Sequence, residues 1–166
     1  MRLGGQDTRE SESLIIHADA DWANDLEDRK SISGFTIHWK GNLLYWSSQK
    51  QPIIAQSSAE AELIAIADSL KEAIWIERII QDFDFKLTGP CEIYEDNQST
   101  IANLTNGKQD RRMKHIDIRY RFVYDFIEDG KAKLIFKPSQ EMFADMLTKP
   151  ISGQKIKDFI QYFGLK

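Results

Sequence analysis

Leu14-Ile15-Ile16-His17-Ala18-Asp19-Ala20-Asp21 is the stretch from which the rest of the chain is read. Leu14, Ile16 and Ala18 fall on one face and Ile15, His17 and Asp19 on the other, the period of two that marks a β-strand. Residues 24–31 are polar and charged and predict a loop. Beyond them Ile32–Lys40 and Leu43–Gln49 alternate again around Gly41-Asn42, a turn signal between two strands. Three consecutive strands predict an antiparallel meander.

Outward from the meander the period changes. Ser57-Ser58-Ala59-Glu60 carries a capping-box spacing ahead of an apolar run. It predicts a helix reaching about Asp82, before the Thr88-Gly89-Pro90 breaker. Cys91–Glu95 reads as a short strand, Gln98–Leu104 as a helix stopped at Asn106-Gly107. Residues 115–128 read as a helix with Ile116, Tyr120, Val123 and Ile127 along one stripe. Lys131–Lys137 reads as a strand with Ala132, Leu134 and Phe136 inward, and Pro138-Ser139 ends that strand and caps a helix. A last helix has Ile156, Phe159, Ile160 and Phe163 at helical spacing, expected to dock on the core. The four tryptophans, Trp22, Trp39, Trp46 and Trp75, are also expected mainly in the core. The order β-β-β-α-β-α-α-β-α-α predicts an α/β fold in which a mixed sheet is covered by helices.

Composition bounds the chemistry. The 166 residues, 42% hydrophobic and 29% charged, fit one compact domain, here residues 14–163, and exclude a low-complexity or disordered chain. No apolar run approaches the length of a membrane span, so no membrane partner is expected. One cysteine, Cys91, excludes a disulfide scaffold, and three scattered histidines are too few for structural zinc. Any metal must therefore be held by carboxylates. The formal net charge of −4 gives no general attraction for nucleic acid.

Four acids sit where elements begin or end. Asp19 closes the first strand, and Asp96 follows the fourth, the end of an α/β sheet at which sites form. Glu62 lies in line with Ala65, Ile66, Ala73 and Ile76 on an apolar helix stripe, where an unpaired charge is costly. Asp145 lies between Ala144 and Met146 in a short helix after the last strand. Each also has an ordinary reading. Asp19 and Asp21 share a face, and either serves as a solvated strand-end acid. Glu60 is the capping partner of Ser57, Asp96 caps the helix at Asn97-Gln98, and Asp145 is a surface acid.

Seven collinear pieces resemble the ribonuclease H domain of copia-type LTR retrotransposon polyproteins. They are Ile15–Ala23, Asp28–Gly34, Tyr45–Gln51, Ser57–Glu62, Tyr94–Gln98, Lys114–Tyr120 and Ala144–Pro150. The resemblance implies a ribonuclease H-like fold: a five-stranded mixed sheet, antiparallel meander plus parallel strands, with helices on both faces. Residues 1–13 are then expected to be a linker stub from a preceding reverse transcriptase connection. The implied activity is hydrolysis of the RNA strand of an RNA–DNA hybrid during reverse transcription. The implied catalytic and metal-binding acids are Asp19, Glu62, Asp96 and Asp145, chosen over Asp21 and Glu60. The implied cofactor is two Mg²⁺ ions, with Mn²⁺ as a substitute. Asp19 would bridge both ions, Asp96 and Glu62 would hold the one near the leaving group, and Asp145 the one carrying the water.

The same resemblance implies as partners an RNA–DNA hybrid and the reverse transcriptase domain of the same polyprotein, within an intracellular retrotransposon particle. Ser57 and Ser58, Asn97 and Gln98, and the basic residues Arg111, Arg112 and Lys114 are the expected substrate contacts. Helix N-termini favour phosphate, and basic side chains track nucleic-acid backbones. Arg121 is expected only to pair along its own helix. Cellular ribonucleases H often carry a histidine in the loop read here as Lys137-Pro138-Ser139-Gln140-Glu141, so no histidine role is assigned. The alternative is a catalytically silent module of the same fold that positions hybrid for a reverse transcriptase.

Overall fold

The structure, a computed structural model, describes residues 13–107 and 116–162. Five strands, β1 (Ile15–Asp21), β2 (Ile32–Trp39), β3 (Asn42–Lys50), β4 (Cys91–Glu95) and β5 (Ala132–Phe136), form one sheet in the order β3-β2-β1-β4-β5. The meander is antiparallel, whereas β4 pairs parallel with both β1 and β5. The hairpin between β2 and β3 turns one residue earlier than the sequence suggests. Trp39 pairs with Asn42, and Lys40 and Gly41 (φ 49° and 71°) occupy the two turn positions. Positive φ at both positions is the type I′ turn, whose twist matches that of the flanking strands, and glycine supplies one of the two without strain.

Helix α1 (Ser58–Asp82) crosses the face formed by Ile16, Ala18, Phe35, Ile37 and Ile93. Its N-terminus is capped as the spacing predicts, with Ser57 Oγ accepting the Glu60 N–H at 3.2 Å. The reciprocal bond is displaced by one residue, because Glu60 Oε2 accepts from the Gln56 N–H. Residues Ala61 to Ala67 are buried all round, since the sheet lies on one side and α2 (Gln98–Asn106) and α3 (Asp117–Glu128) on the other. Each fully buried Leu or Ile there contributes about 1.5–3 kcal/mol.

The opposite face, with Ile15, Tyr94 and His17, is covered by Met142, Phe143 and the short helix α4 (Asp145–Thr148). Gly34, paired with Asp19 across β2 and β1, is the residue that lets α4 approach. A Cβ there would lie 2.7 Å from Thr148 Cγ2 and 2.8 Å from Leu147 Cβ.

Four expectations are corrected. Phe136 is 48% exposed, because β5 is an edge strand and Phe136 is its last residue. Pro138-Ser139 leads into a 3-10 turn without a side-chain cap. In α5 (Gly153–Tyr162), Ile156 and Ile160 remain 44% and 42% exposed, so these two are not buried on the core, whereas Phe159 is half-buried; Phe163 lies outside the described residues. Trp22, Trp46 and Trp75 are exposed, and only Trp39 packs against the core. Trp22 is held instead by its indole N–H donating to the Ala55 carbonyl at 3.0 Å. Among the described residues no helix is long and apolar enough to cross a membrane.

Candidate active site

The parallel pairing of β1 and β4 sets Ile15, Ile16 and His17 beside Glu92, Ile93 and Tyr94. Two residues further on, the same offset brings Asp19 level with Asp96. Asp145, at the first turn of α4, reaches them from the face that α4 covers. One carboxylate oxygen from each of Asp19, Asp96 and Asp145 lies within 4.8 Å of the others. On the α1 side a second group forms: Glu62, Glu95 and Asp96, also with oxygens within 4.8 Å. Period two explains the division. Ala18 and Ile93 face α1, so Glu95 faces it too, whereas Asp19 shares the other face with Ile15 and His17. Asp96 follows the end of β4, where the two faces meet, and belongs to both groups.

Burial and neighbouring charge act together on these acids. Asp19 is buried, and that burial raises its carboxyl above the usual range, against the Thr148 hydroxyl and Lys149 ammonium that favour its charged form. Thr148 Oγ1 donates to Asp19 Oδ2, and Ser139 Oγ donates to Asp96 Oδ2. Lys149 Nζ stands between two acids, 3.4 Å from Asp19 Oδ2 and 2.7 Å from Asp145 Oδ1. Burial opposes its charge, but the two carboxylates outweigh burial and hold it charged. Glu62 is raised well above the ordinary value by burial and then by Glu95, Asp19 and Asp96. Burial pushes Glu95 up to about 8. Its Oε1 accepts the Asn97 N–H at 2.9 Å, while Oε2 of both Glu62 and Glu95 is buried without a hydrogen-bond partner.

The structure therefore brings Asp19, Glu62, Asp96 and Asp145 to one end of β1 and β4. Glu60 is occupied at the α1 cap, and Asp21 is in neither group. A donor set made only of carboxylate oxygens suits a hard divalent cation such as Mg²⁺. The orphaned oxygens on Glu62 and Glu95 fit such an ion, and Lys149 shows that the other group already draws a cation.

Of the other expected contacts, Ser57 and Ser58 lie exposed at the start of α1, and Gln98 exposed at the start of α2. Asn97 is the N-cap of α2, its Oδ1 accepting from Ser99 and Thr100 N–H at 3.0 and 3.2 Å. The two helix starts adjoin, with Thr100 Oγ1 3.4 Å from the Ala59 carbonyl oxygen. Arg111, Arg112 and Lys114 lie outside the described residues. Arg121 pairs with Asp125 at 2.8 Å along α3, as its spacing suggests.

No protein-family model matches the chain. It is 33% identical over 153 residues to the retrovirus-related Pol polyprotein from transposon RE1 of Arabidopsis thaliana, covering 92% of this chain and 10% of that protein. The chain thus spans about a tenth of the length of the curated relatives it matches. LC11-RNase H1, solved in complex with RNA/DNA hybrid, superposes with a TM-score of 0.60 at 16% identity, over 82% of this chain and 94% of that one. The foamy viral protease-reverse transcriptase, also solved with RNA/DNA hybrid, gives 0.60 at 13% identity over 83% and 20%. This chain is a ribonuclease H-fold relative of transposon Pol polyproteins. The resemblance drawn from its motifs is met, and so is the expected mixed sheet. In this ribonuclease H fold, sequence reasoning passed over Glu95, Ser139, Thr148 and Lys149. The spacing of Thr148 and Lys149, three and four residues after Asp145, places them on its helical face. Glu95 shares parity with the buried Ile93.

Proposed function

We propose that this chain hydrolyses the RNA strand of RNA–DNA hybrids, with Mg²⁺ or Mn²⁺, as part of retrotransposon reverse transcription. The observation that carries the reading is the convergence of Asp19, Glu62, Asp96 and Asp145 at the end of β1 and β4 in a ribonuclease H fold. These four acids would hold two divalent ions. When bound, such ions supply an activated water and neutralise charge on the leaving oxygen of a phosphodiester.

The chain's own residues prepare that site. Thr148 and Ser139 orient Asp19 and Asp96 through their hydroxyls. Lys149 balances Asp19 and Asp145 until a stronger cation takes its place. Ser57 and Ser58 offer hydroxyls and free helix N–H groups to a backbone phosphate. Gln98 projects from the adjoining helix start, where a 2′-hydroxyl distinguishes RNA from DNA. Arg111, Arg112 and Lys114 would follow the DNA strand. The partner in this reading is the reverse transcriptase of the same polyprotein, in an intracellular particle.

The test is incubation with an end-labelled RNA–DNA hybrid in Mg²⁺, Mn²⁺ or EDTA, with single-stranded RNA and duplex DNA as controls. Metal-dependent shortening of RNA in the hybrid alone is expected, and Asp96→Asn should remove it while the protein stays folded. Intact RNA under every condition, from a folded chain that still binds hybrid, would leave the silent positioning module instead.

A further inference from the structure

Glu95 is fully buried, yet nothing in the four-acid reading uses it. Its Oε1 has a task, accepting the Asn97 N–H at 2.9 Å at the turn into α2. Its Oε2 has none. Glu62, 4% exposed, likewise keeps a buried Oε2 without a partner. Among the described residues neither glutamate has a direct ion pair; Lys149 makes its ion pairs with Asp19 and Asp145, and its charge offsets only part of the rise at Glu62. A residue needed only to hold the Asn97 N–H would do so as well with an uncharged amide. Placing a second carboxylate against Glu62 in the interior is unfavourable unless a proton or a metal cation joins them, and the cation is the one that both partnerless oxygens can share as ligands.

We propose that Glu62, Glu95 and Asp96 form a divalent-cation site in which Glu95 is a direct ligand. This fifth acid serves the α1 side of the centre, and Asp96, rather than the Asp19 that the resemblance implies, is the acid common to the two groups. The proposal rests on the metal-dependent reading above and extends its donor set. It also accounts for the two adjacent acids at the end of β4. Successive residues there project to opposite faces, so Glu95 reaches toward α1 while Asp96 stays at the junction.

Mn²⁺ is the probe, since it can be located and counted. Anomalous scattering from wild-type crystals soaked in Mn²⁺ should show an ion in contact with Glu95. Electron paramagnetic resonance titration in solution should count that ion and be repeated on Glu95→Gln, which keeps the Asn97 acceptor, and on Asp145→Asn. Glu95→Gln should weaken one Mn²⁺ by at least about tenfold and spare the other, while Asp145→Asn does the converse. Mn²⁺ at Asp19 and Asp145 with none touching Glu95 would overturn the Glu95 site and leave the four-acid reading standing. No Mn²⁺ at any of these acids, in a folded protein, would overturn both. Should Glu95→Gln fail to fold, the wild-type crystal decides.

Discussion

At the scale of single residues, Lys149 governs the site before metal binds. Its ammonium lies against Asp19 and Asp145, where a divalent ion would take the same oxygens. Lys149→Met should therefore act in two directions. Without metal the chain should lose about 1 kcal/mol, a modest amount because the ammonium is partly exposed and screened. With Mg²⁺ the mutant should gain more stability than wild type, since the ion no longer competes with a tethered cation. Thermal melting of both proteins in EDTA and in Mg²⁺ at constant ionic strength measures this. Equal Mg²⁺ shifts would mean that ammonium and metal do not share oxygens.

Elements carry the next level of control, because helices and strands decide how tightly these side chains meet. Helix α4 brings Asp145 and Thr148 to the sheet only because Gly34 has no Cβ. Gly34→Ala should cost about 1–3 kcal/mol through overpacking. It should also weaken Mg²⁺ binding at Asp19 and Asp145, read by calorimetric titration; destabilisation with unchanged Mg²⁺ affinity would separate α4 from the site. At the ends of α1 and β4, burial sets a pH dependence. Glu95 has an ordinary value of 4.5 and is pushed up to about 8, and Glu62 and Asp19 move in the same direction. Between those values the native chain binds more protons than the unfolded one. The stabilisation is full below about 4.5 and is lost as pH rises through about 8. Metal-free unfolding in urea should thus show stability falling from about pH 5 to about pH 8, and Glu95→Gln should flatten the fall. Saturating Mg²⁺ should reverse it, because the ion binds deprotonated carboxylates.

For the molecule as a whole, charge opposes its proposed substrate. A net charge of −4 and a concentrated acid cluster repel phosphate, so binding must rely on local cations and on metal. Replacing Arg111, Arg112 and Lys114 together by alanine should weaken hybrid binding in every sequence. It should also reduce the slope of log affinity against log salt by about one for each phosphate no longer neutralised. Fluorescence anisotropy with a short hybrid across a salt series is the measurement. An unchanged slope would assign this basic stretch to another surface.

Much of the architecture follows from local pattern. Alternation marks the five strands, and the Ser57 cap and the apolar run mark α1. The four acids fall at element ends because parity and helical facing are properties of a few neighbouring residues. Local pattern also leaves Asp19 and Asp21, or Glu60 and Glu62, open until a family resemblance separates them. Tertiary structure decides which of these residues meet. Inserting β4 beside β1 juxtaposes residues 77 apart in the chain (Ile15 and Glu92), and Thr148 reaches Asp19 across 129 positions. No local period contains such distances. The exposure of Phe136, of three tryptophans and of Ile156 and Ile160 was equally illegible, because a side chain's facing is local whereas the cover over that face is not. Glu95 unites the two cases. Its alternation with Asp96 is written in the sequence, but its burial against Glu62 exists only once α1 has packed across the sheet.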